Sequence, residues 1–396
     1  MSKIKLLTNR LNSSAMMISM KFQSVHVINP ICRRFYSKLR KEIAFVFDID
    51  GVLLRGKKPI PGAKEALKLL NNYRIPYILL TNGGGITEGK RVEFISSQLQ
   101  CEISPLQIVQ SHTPMKALAS NNNYRRVLVV GPSTSREAAL SYGFRDVIMP
   151  VDLVKHTRAI SPHHNYTQHE LTHAHDIDIT IPIDAIFVFN DPRDMNSDLQ
   201  IIMDTLNSEN GYIGTKRNFN QLTNPEIPAV PIIFSNNDLV WANDYAIPRF
   251  GQGAFRIIIE NLYREMNKLS PRQNLHLTIL GKPYKIQYDY AHYVLIDWRN
   301  KLVNHETGDT FQEILPPLGQ TPTESPFSKI YMIGDNPESD ILGANTYGWE
   351  SMLLRTGVYK DQDWNHIVAQ PTCGVFDDVL ESVEFALIEN GYIDRK

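Results

Sequence analysis

Four polar clusters in this 396-residue chain each follow a short apolar run and carry residue types that can do chemistry together. Asp48-Ile49-Asp50-Gly51 follows residues 44–47, and Thr81-Asn82-Gly83-Gly84-Gly85 follows residues 77–80. Gly281-Lys282-Pro283 follows residues 277–280, and Gly334-Asp335, with Asp340 a little further on, follows residues 329–333. If these runs are neighbouring strands of one parallel sheet, their carboxyl ends converge on a single pocket. That pocket holds the carboxylates of Asp48, Asp50, Asp335 and Asp340, the Lys282 ammonium, and hydroxyl and amide donors. So many carboxylates repel one another, which makes a divalent cation their natural partner, and hard oxygen ligands favour Mg²⁺ with retained waters. The metal and Lys282 then attract an oxyanion, for which phosphate is the obvious candidate. One carboxylate can attack phosphorus to form an aspartyl-phosphate. The second, two residues on and therefore on the same side of an extended strand, can protonate the leaving alkoxide and later activate water. Thr81 and backbone N–H groups would hold the phosphoryl oxygens while Lys282 stabilises transition-state charge.

The elements that position these clusters read as strand, helix, strand, helix with short turns, the pattern of a doubly wound parallel α/β sheet. Helices are expected from about residue 63, with Leu67, Leu69 and Leu70 on the apolar face, and over 88–100, with strands at 107–109 and 127–130. A second α/β unit occupies 131–275, with strands at 185–189 and 232–235 and a helix carrying Leu199, Ile202, Met203 and Leu206. The expected organisation is therefore 42–130 as the first part of the core, 131–275 as an inserted α/β cap and 276–396 as the second part of the core. Within the insert, Arg249-Phe250-Gly251-Gln252-Gly253 leads into a helix, and its two glycines permit close backbone approach. This G-x-G lacks the full dinucleotide fingerprint.

Hydrophobic residues make up 42% of the chain, enough for a sizeable core, and the net charge of -1 gives no argument for a nucleic-acid partner. The longest apolar runs are strand-length, so no membrane-spanning segment is expected. Three widely spaced cysteines suit a reducing compartment. Residues 1–41 differ in kind: nine Lys or Arg, six Ser and no Asp or Glu. Such acid-poor, basic, Ser-rich composition reads as a mitochondrial targeting segment, with Arg34-Phe35-Tyr36-Ser37 as a candidate cleavage site and the matrix as destination.

Residues 151–178 interrupt the rhythm with six histidines and read as a long polar loop. His169-Glu170-Leu171-Thr172-His173 matches the H-E-x-x-H pattern of zinc proteases. Its flanks are polar and turn-prone and offer no third ligand in helical register, so the stretch reads as a solvated loop. Residues 304–328 form a Pro-rich surface excursion.

Taken in order, Asp48-x-Asp50-Gly51-Val52, Leu80-Thr81-Asn82, Gly281-Lys282-Pro283 and Gly334-Asp335 with Asp340 resemble the haloacid dehalogenase (HAD) superfamily of phosphohydrolases. The large α/β insert between the Thr-Asn and Lys motifs is similar to the class IIA arrangement. Ser111-His112-Thr113-Pro114 and Asn190-Asp191-Pro192-Arg193-Asp194 are similar to the cat eye syndrome critical region protein subfamily. The resemblance implies a Rossmann-like core, with Asp48 as nucleophile and Asp50 as general acid/base. It makes Asp48, the Asp50 carbonyl and Asp335 ligands of Mg²⁺, with Asp340 supporting the metal shell and Lys282. Thr81, Asn82 and Lys282 contact phosphate. An acidic residue at position 50 points to a phosphatase acting on a small phosphorylated substrate, a phospholipid-pathway intermediate among the candidates. Alternatives are a phosphotransferase, or a non-catalytic binding protein on the same fold. Candidate substrate contacts from the cap are Asp191, Arg193, Asp194, Asn236, Asp238 and Arg249, and homo-oligomerisation through the cap is a further implication.

Overall fold

A computed structural model describes residues 42–121, 124–241, 245, 247–304 and 315–395. The targeting segment expected at 1–41 and residues 305–314 of the Pro-rich excursion lie outside the described residues. In chain order the strands are β1 Glu42–Phe47, β2 Leu54–Arg55, β3 Lys58–Pro59, β4 Tyr77–Leu80, β5 Ile108–Val109, β6 Arg126–Val130, β7 Asp146–Ile148 and β8 Ala185–Val188. They continue with β9 Ile232–Phe234, β10 Val240–Trp241, β11 Arg249–Phe250, β12 Thr278–Ile279, β13 Phe327–Gly334, β14 Glu350–Leu354 and β15 Gly374–Phe376.

Two parallel sheets organise the molecule. The first has the order β15-β14-β13-β1-β4-β5, and the second β12-β9-β8-β6-β7. Strands of parallel sheets are covered on both faces, which is why they read as unbroken apolar runs. In β1, Ile43, Phe45 and Phe47 pack with Leu67, Leu70, Val92 and Ile95 of two helices on one face. Ala44 and Val46 face the helix Lys285–Asn304 through Tyr288, Ala291 and Leu295 on the other. The second sheet repeats the scheme. Leu128, Val130, Ile186 and Val188 pack against the helices Met195–Leu206 and Gln252–Met266. Val127, Val129 and Phe187 cover the opposite face with Ala138 and Ala139.

Three expectations need correction. Residues 127–130, read as part of the first unit, form β6, an interior strand of the second sheet between β8 and β7. Residues 277–280, read as the return of the first sheet, form β12, which pairs with β9 at the edge of the second. The second sheet thus draws on residues 126–279 rather than 131–275. A four-residue apolar run states that a strand exists and is silent about which sheet it joins. Residues 151–178 are not loop throughout, since the helices Pro150–His156 and Gln168–His173 fall on this segment.

The chain re-enters the first unit by a turn rather than a strand. Gly281 adopts φ +80°, and a Cβ there would lie 2.7 Å from the Ser235 carbonyl oxygen at the end of β9. The helix Lys285–Asn304 follows directly. Its residue Gln287 ties the two crossings together, accepting from Gly281 N–H at 3.1 Å and donating to the Gln110 carbonyl at 3.0 Å.

Candidate active site

In the first sheet β1 lies between β13 and β4, where the strand order reverses, and this is where open α/β sheets bind ligands. Asp48 leaves β1 there, Thr81 leaves β4 and Asp335 leaves β13. One carboxylate oxygen from each of Asp48, Asp335 and Asp340 lies within 4.8 Å of the others, and all three residues are buried. Lys282 reaches the same point from the turn after β12. Its ammonium donates to Asp48 Oδ1 at 2.7 Å and to the Leu80 carbonyl at 2.9 Å, and pairs with Asp340 Oδ1 at 2.6 Å. Those contacts occupy its three donors.

Asp340 supports the site from behind. Its Oδ2 accepts the backbone N–H groups of Asp335 at 3.2 Å and Asn336 at 3.1 Å, fixing the turn that follows β13. Asp335 Oδ2 accepts from Val358 N–H at 2.6 Å. Two glycines make room for Asp335: a Cβ on Gly357 would stand 1.9 Å from its Oδ2, and one on Gly51, at φ +96°, 2.5 Å from its Cγ.

The electrostatics follow from this crowding. Burial pushes the carboxyls of Asp48, Asp335 and Asp340 above the usual carboxylate range, and mutual repulsion adds to it for Asp335. Burial alone would pull the Lys282 ammonium down, but Asp340 and Asp48 outweigh it and hold that group above the usual lysine range. Three carboxylates and one ammonium leave two uncompensated negative charges when all are ionised. A hard divalent cation bound to carboxylate oxygens is the charge complement of this donor set.

Asp50 stands on the open side of the cluster, close enough for its charge to help raise the Asp48 carboxyl. Its side chain is about half exposed and pairs through Oδ2 with Arg91 Nη2 at 3.1 Å. Thr81 is buried, and its hydroxyl accepts from Gly83 N–H at 3.0 Å. Asn82 is committed to structure: its amide donates to Asp238 Oδ1 at 2.9 Å and the Lys282 carbonyl at 3.0 Å, and accepts from Lys282 N–H at 2.8 Å. It fixes the lysine turn and meets the second unit, where Asn236 donates to the Asn82 carbonyl at 3.1 Å.

Of the six candidate cap contacts, Asn236 and Asp238 come together at this junction. Burial raises the Asp238 carboxyl to about 6, and burial also raises that of Asp191. Arg193 turns back on its own loop, donating to the Asp191 carbonyl at 2.8 Å. Asp194 is an N-cap: it accepts from Asn196 N–H at 3.1 Å at the start of Met195–Leu206, and it pairs with His164 Nδ1 at 2.6 Å. Arg249 stands exposed on β11, over the Tyr245 ring. The two glycines of the G-x-G do allow close approach, since a Cβ on Gly253 would lie 2.3 Å from the Asn237 carbonyl oxygen. In the H-E-x-x-H helix, Glu170 closes a capping box with Thr167 and pairs with His164 at 3.0 Å. Among the described residues, the only group of three or more side chains fit to share a metal ion is the aspartate triad.

Sequence reasoning missed Arg91, Tyr288 and the 356–358 turn. Tyr288 donates to the Asp340 carbonyl at 3.1 Å, and Thr356 donates to the Gly51 carbonyl at 2.5 Å. None sits in a motif, and each is recognisable only by what it touches.

Fold and site together define a two-sheet α/β protein with a buried acidic cluster at the carboxyl edge of its first sheet. Residues 45–145 match the haloacid dehalogenase-like hydrolase family model, and residues 279–382 match a second HAD-hydrolase-like model. The chain is 50% identical over 360 residues to a mitochondrial hydrolase of Saccharomyces cerevisiae, covering 89% of this chain and 99% of that protein. It is 39% identical over 350 residues to a cardiolipin synthase (CMP-forming)/mitochondrial hydrolase fusion protein of Schizosaccharomyces pombe, covering 87% of this chain and 53% of the fusion. Solved structures of similar fold include p-nitrophenyl phosphatase from Archaeoglobus fulgidus, at TM-score 0.54 and 15% identity, covering 87% of this chain and 99% of that one. NagD from E. coli matches at TM-score 0.51 and 17% identity, covering 86% and 98%. The chain belongs to the haloacid dehalogenase-like hydrolases.

Proposed function

We propose that this protein is a Mg²⁺-dependent phosphomonoesterase of the mitochondrial matrix. The single observation that carries the reading is the buried Asp48/Asp335/Asp340 triad with Lys282 at its centre. A bound cation lets such a buried cluster stay ionised at neutral pH, and phosphoryl transfer gives the cluster a use.

In this reading Asp48 attacks phosphorus and forms an aspartyl-phosphate as the bond to the leaving oxygen breaks, and Asp50 gives that oxygen its proton. Asp50 then takes a proton from water, which attacks the acyl-phosphate and releases phosphate and free Asp48. Lys282 holds one Asp48 oxygen so that the other faces the substrate, and it offsets charge that develops on the phosphoryl group. Thr81 and the glycine loop behind it bind phosphoryl oxygens. Asn82 acts through Lys282, whose turn it fixes. Held by Asp48, the Asp50 carbonyl and Asp335, with Asp340 behind them, Mg²⁺ would neutralise carboxylate and phosphoryl charge. The division into core at about 42–125 and 280–396 and cap at 126–279 follows the two sheets. Asn236 and Asp238 join the cap to the core at Asn82, next to the lysine turn.

The names of the two fungal relatives and the composition of residues 1–41 support the mitochondrial assignment. The fusion of one relative to a cardiolipin synthase supports a phospholipid-pathway phosphomonoester as substrate. The test is turnover of p-nitrophenyl phosphate with and without Mg²⁺ by the wild type and by Asp48→Asn. Mg²⁺-dependent turnover that Asp48→Asn abolishes is the expected result. Equal turnover by the two proteins would remove Asp48 from the mechanism.

A further inference from the structure

Asp50 needs a defined direction to move a proton, yet its half-exposed side chain has little around it to supply one. Arg91 is the group that touches it, and Arg91 belongs to the helix Glu88–Leu99. One turn earlier on the same side of that helix sits Glu88, buried and bound on several sides. Its Oε1 accepts the Thr113 hydroxyl at 2.7 Å and the Tyr142 hydroxyl at 2.6 Å, and pairs with Lys116 at 3.2 Å.

Tyr142 closes the helix Thr134–Ser141 beside the second sheet, so its bond to Glu88 joins cap to core. A carboxylate cannot donate, so the tyrosine hydrogen goes to Glu88. The 2.7 Å contact between Tyr142 and His112 Nδ1 must then be donated by the imidazole. His112 is fully buried and stacks on Phe189 of the cap, with ring centroids 5.0 Å apart. It also lies against the glycine loop: a Cβ on Gly84 would stand 2.6 Å from His112 Cδ2. A Cβ on the neighbouring Gly83 would be 3.8 Å from Asp50 Oδ2 and 4.0 Å from Arg91 Nη2.

We propose that Arg91 is the positioning residue for Asp50, and that the cap sets the placement of Arg91 through Tyr142 and Glu88. A cap seated on Glu88 fixes the first turn of Glu88–Leu99, and that turn aims the guanidinium at Asp50. This rests on the reading of Asp50 as general acid/base.

The test is a double-mutant cycle in Arg91→Met and Tyr142→Phe, with Arg91→Lys as the conservative variant, on p-nitrophenyl phosphate with Mg²⁺. Arg91→Met should lower kcat roughly tenfold, part of the total contribution of a general acid, and leave KM and competitive inhibition by inorganic phosphate within about twofold. Arg91→Lys should recover part of that loss. Tyr142→Phe should lower kcat less, and the double variant should be little slower than Arg91→Met alone. An unchanged kcat in Arg91→Met overturns the positioning role, and multiplicative losses in the double variant overturn the link to the cap. If Tyr142→Phe does not fold, Thr113→Val loosens the same carboxylate. A readout independent of turnover is amide hydrogen exchange over residues 82–91, which should quicken in Tyr142→Phe. Unchanged exchange sinks the link, whereas an inactive wild type with quickened exchange in the variant sinks only the phosphatase reading.

Discussion

Replacing Lys282 by Met should expose how the site balances its charge. The substitution keeps most of the side-chain volume and removes one ammonium from contact with Asp48, Asp340 and the Leu80 carbonyl, at 2.7, 2.6 and 2.9 Å. Breaking a buried ion pair by deleting one partner costs about 3–5 kcal/mol, because the other charge stays buried. In a chain of this size that is a fall in Tm of roughly 4–7 °C. The pH dependence gives the sign. Carboxyls whose folded pKa lies above the unfolded value bind more protons in the folded state, so they lower stability as pH rises through the unfolded pKa. Burial already raises Asp48 and Asp340 in the wild type, and loss of the lysine raises them further. The Tm deficit of Lys282→Met should therefore be small at acid pH, where the carboxyls are protonated, and full at neutral pH. Mg²⁺ should restore part of it, because it supplies positive charge at the same carboxylates. Turnover should fall by about 10²–10³. Melting by circular dichroism at pH 4.5 and 7.5, with and without Mg²⁺, reads all of this except the rate. A deficit of the same size at both pH values would refute the charge argument and leave only lost packing.

Two further outcomes follow from neighbouring residues. Asp238→Asn keeps an oxygen to accept from Asn82 and removes a carboxyl that burial lifts to about 6. It should raise stability at pH 7.5 by roughly 3 kcal/mol and leave it unchanged at acid pH, and a loss at neutral pH would contradict the burial argument. Gly51→Ala puts a Cβ 2.5 Å from Asp335 Cγ at φ +96°. Together the strain and the clash should cost at least about 2 kcal/mol in urea unfolding and weaken Mg²⁺ activation, and wild-type stability would show that the turn relaxes freely.

The sequence by itself determined the family and the set of groups offered to the site. The apolar runs of parallel strands are local features, and so are the polar clusters that end them. Asp48-x-Asp50, Thr81-Asn82, Lys282 and the pair Asp335 and Asp340 are all legible without a partner in view. Tertiary structure decided what pairs with what. Residues 127–130 and 277–280 belong to the second sheet because β8, β7 and β9 lie there to receive them, and a strand does not encode its neighbours in its own few residues. Lys282 consequently reaches the aspartates by a turn from the edge of the cap. The Asn82 amide, free to meet phosphate on sequence grounds, is committed to Lys282 and Asp238. Arg91 and Glu88 carry no motif, and their meaning lies in contacts 41 and 54 residues away in sequence, with Asp50 and Tyr142. Local patterns set which groups the chain brings to the site. Long-range packing sets which of them face the pocket and which hold the others in place.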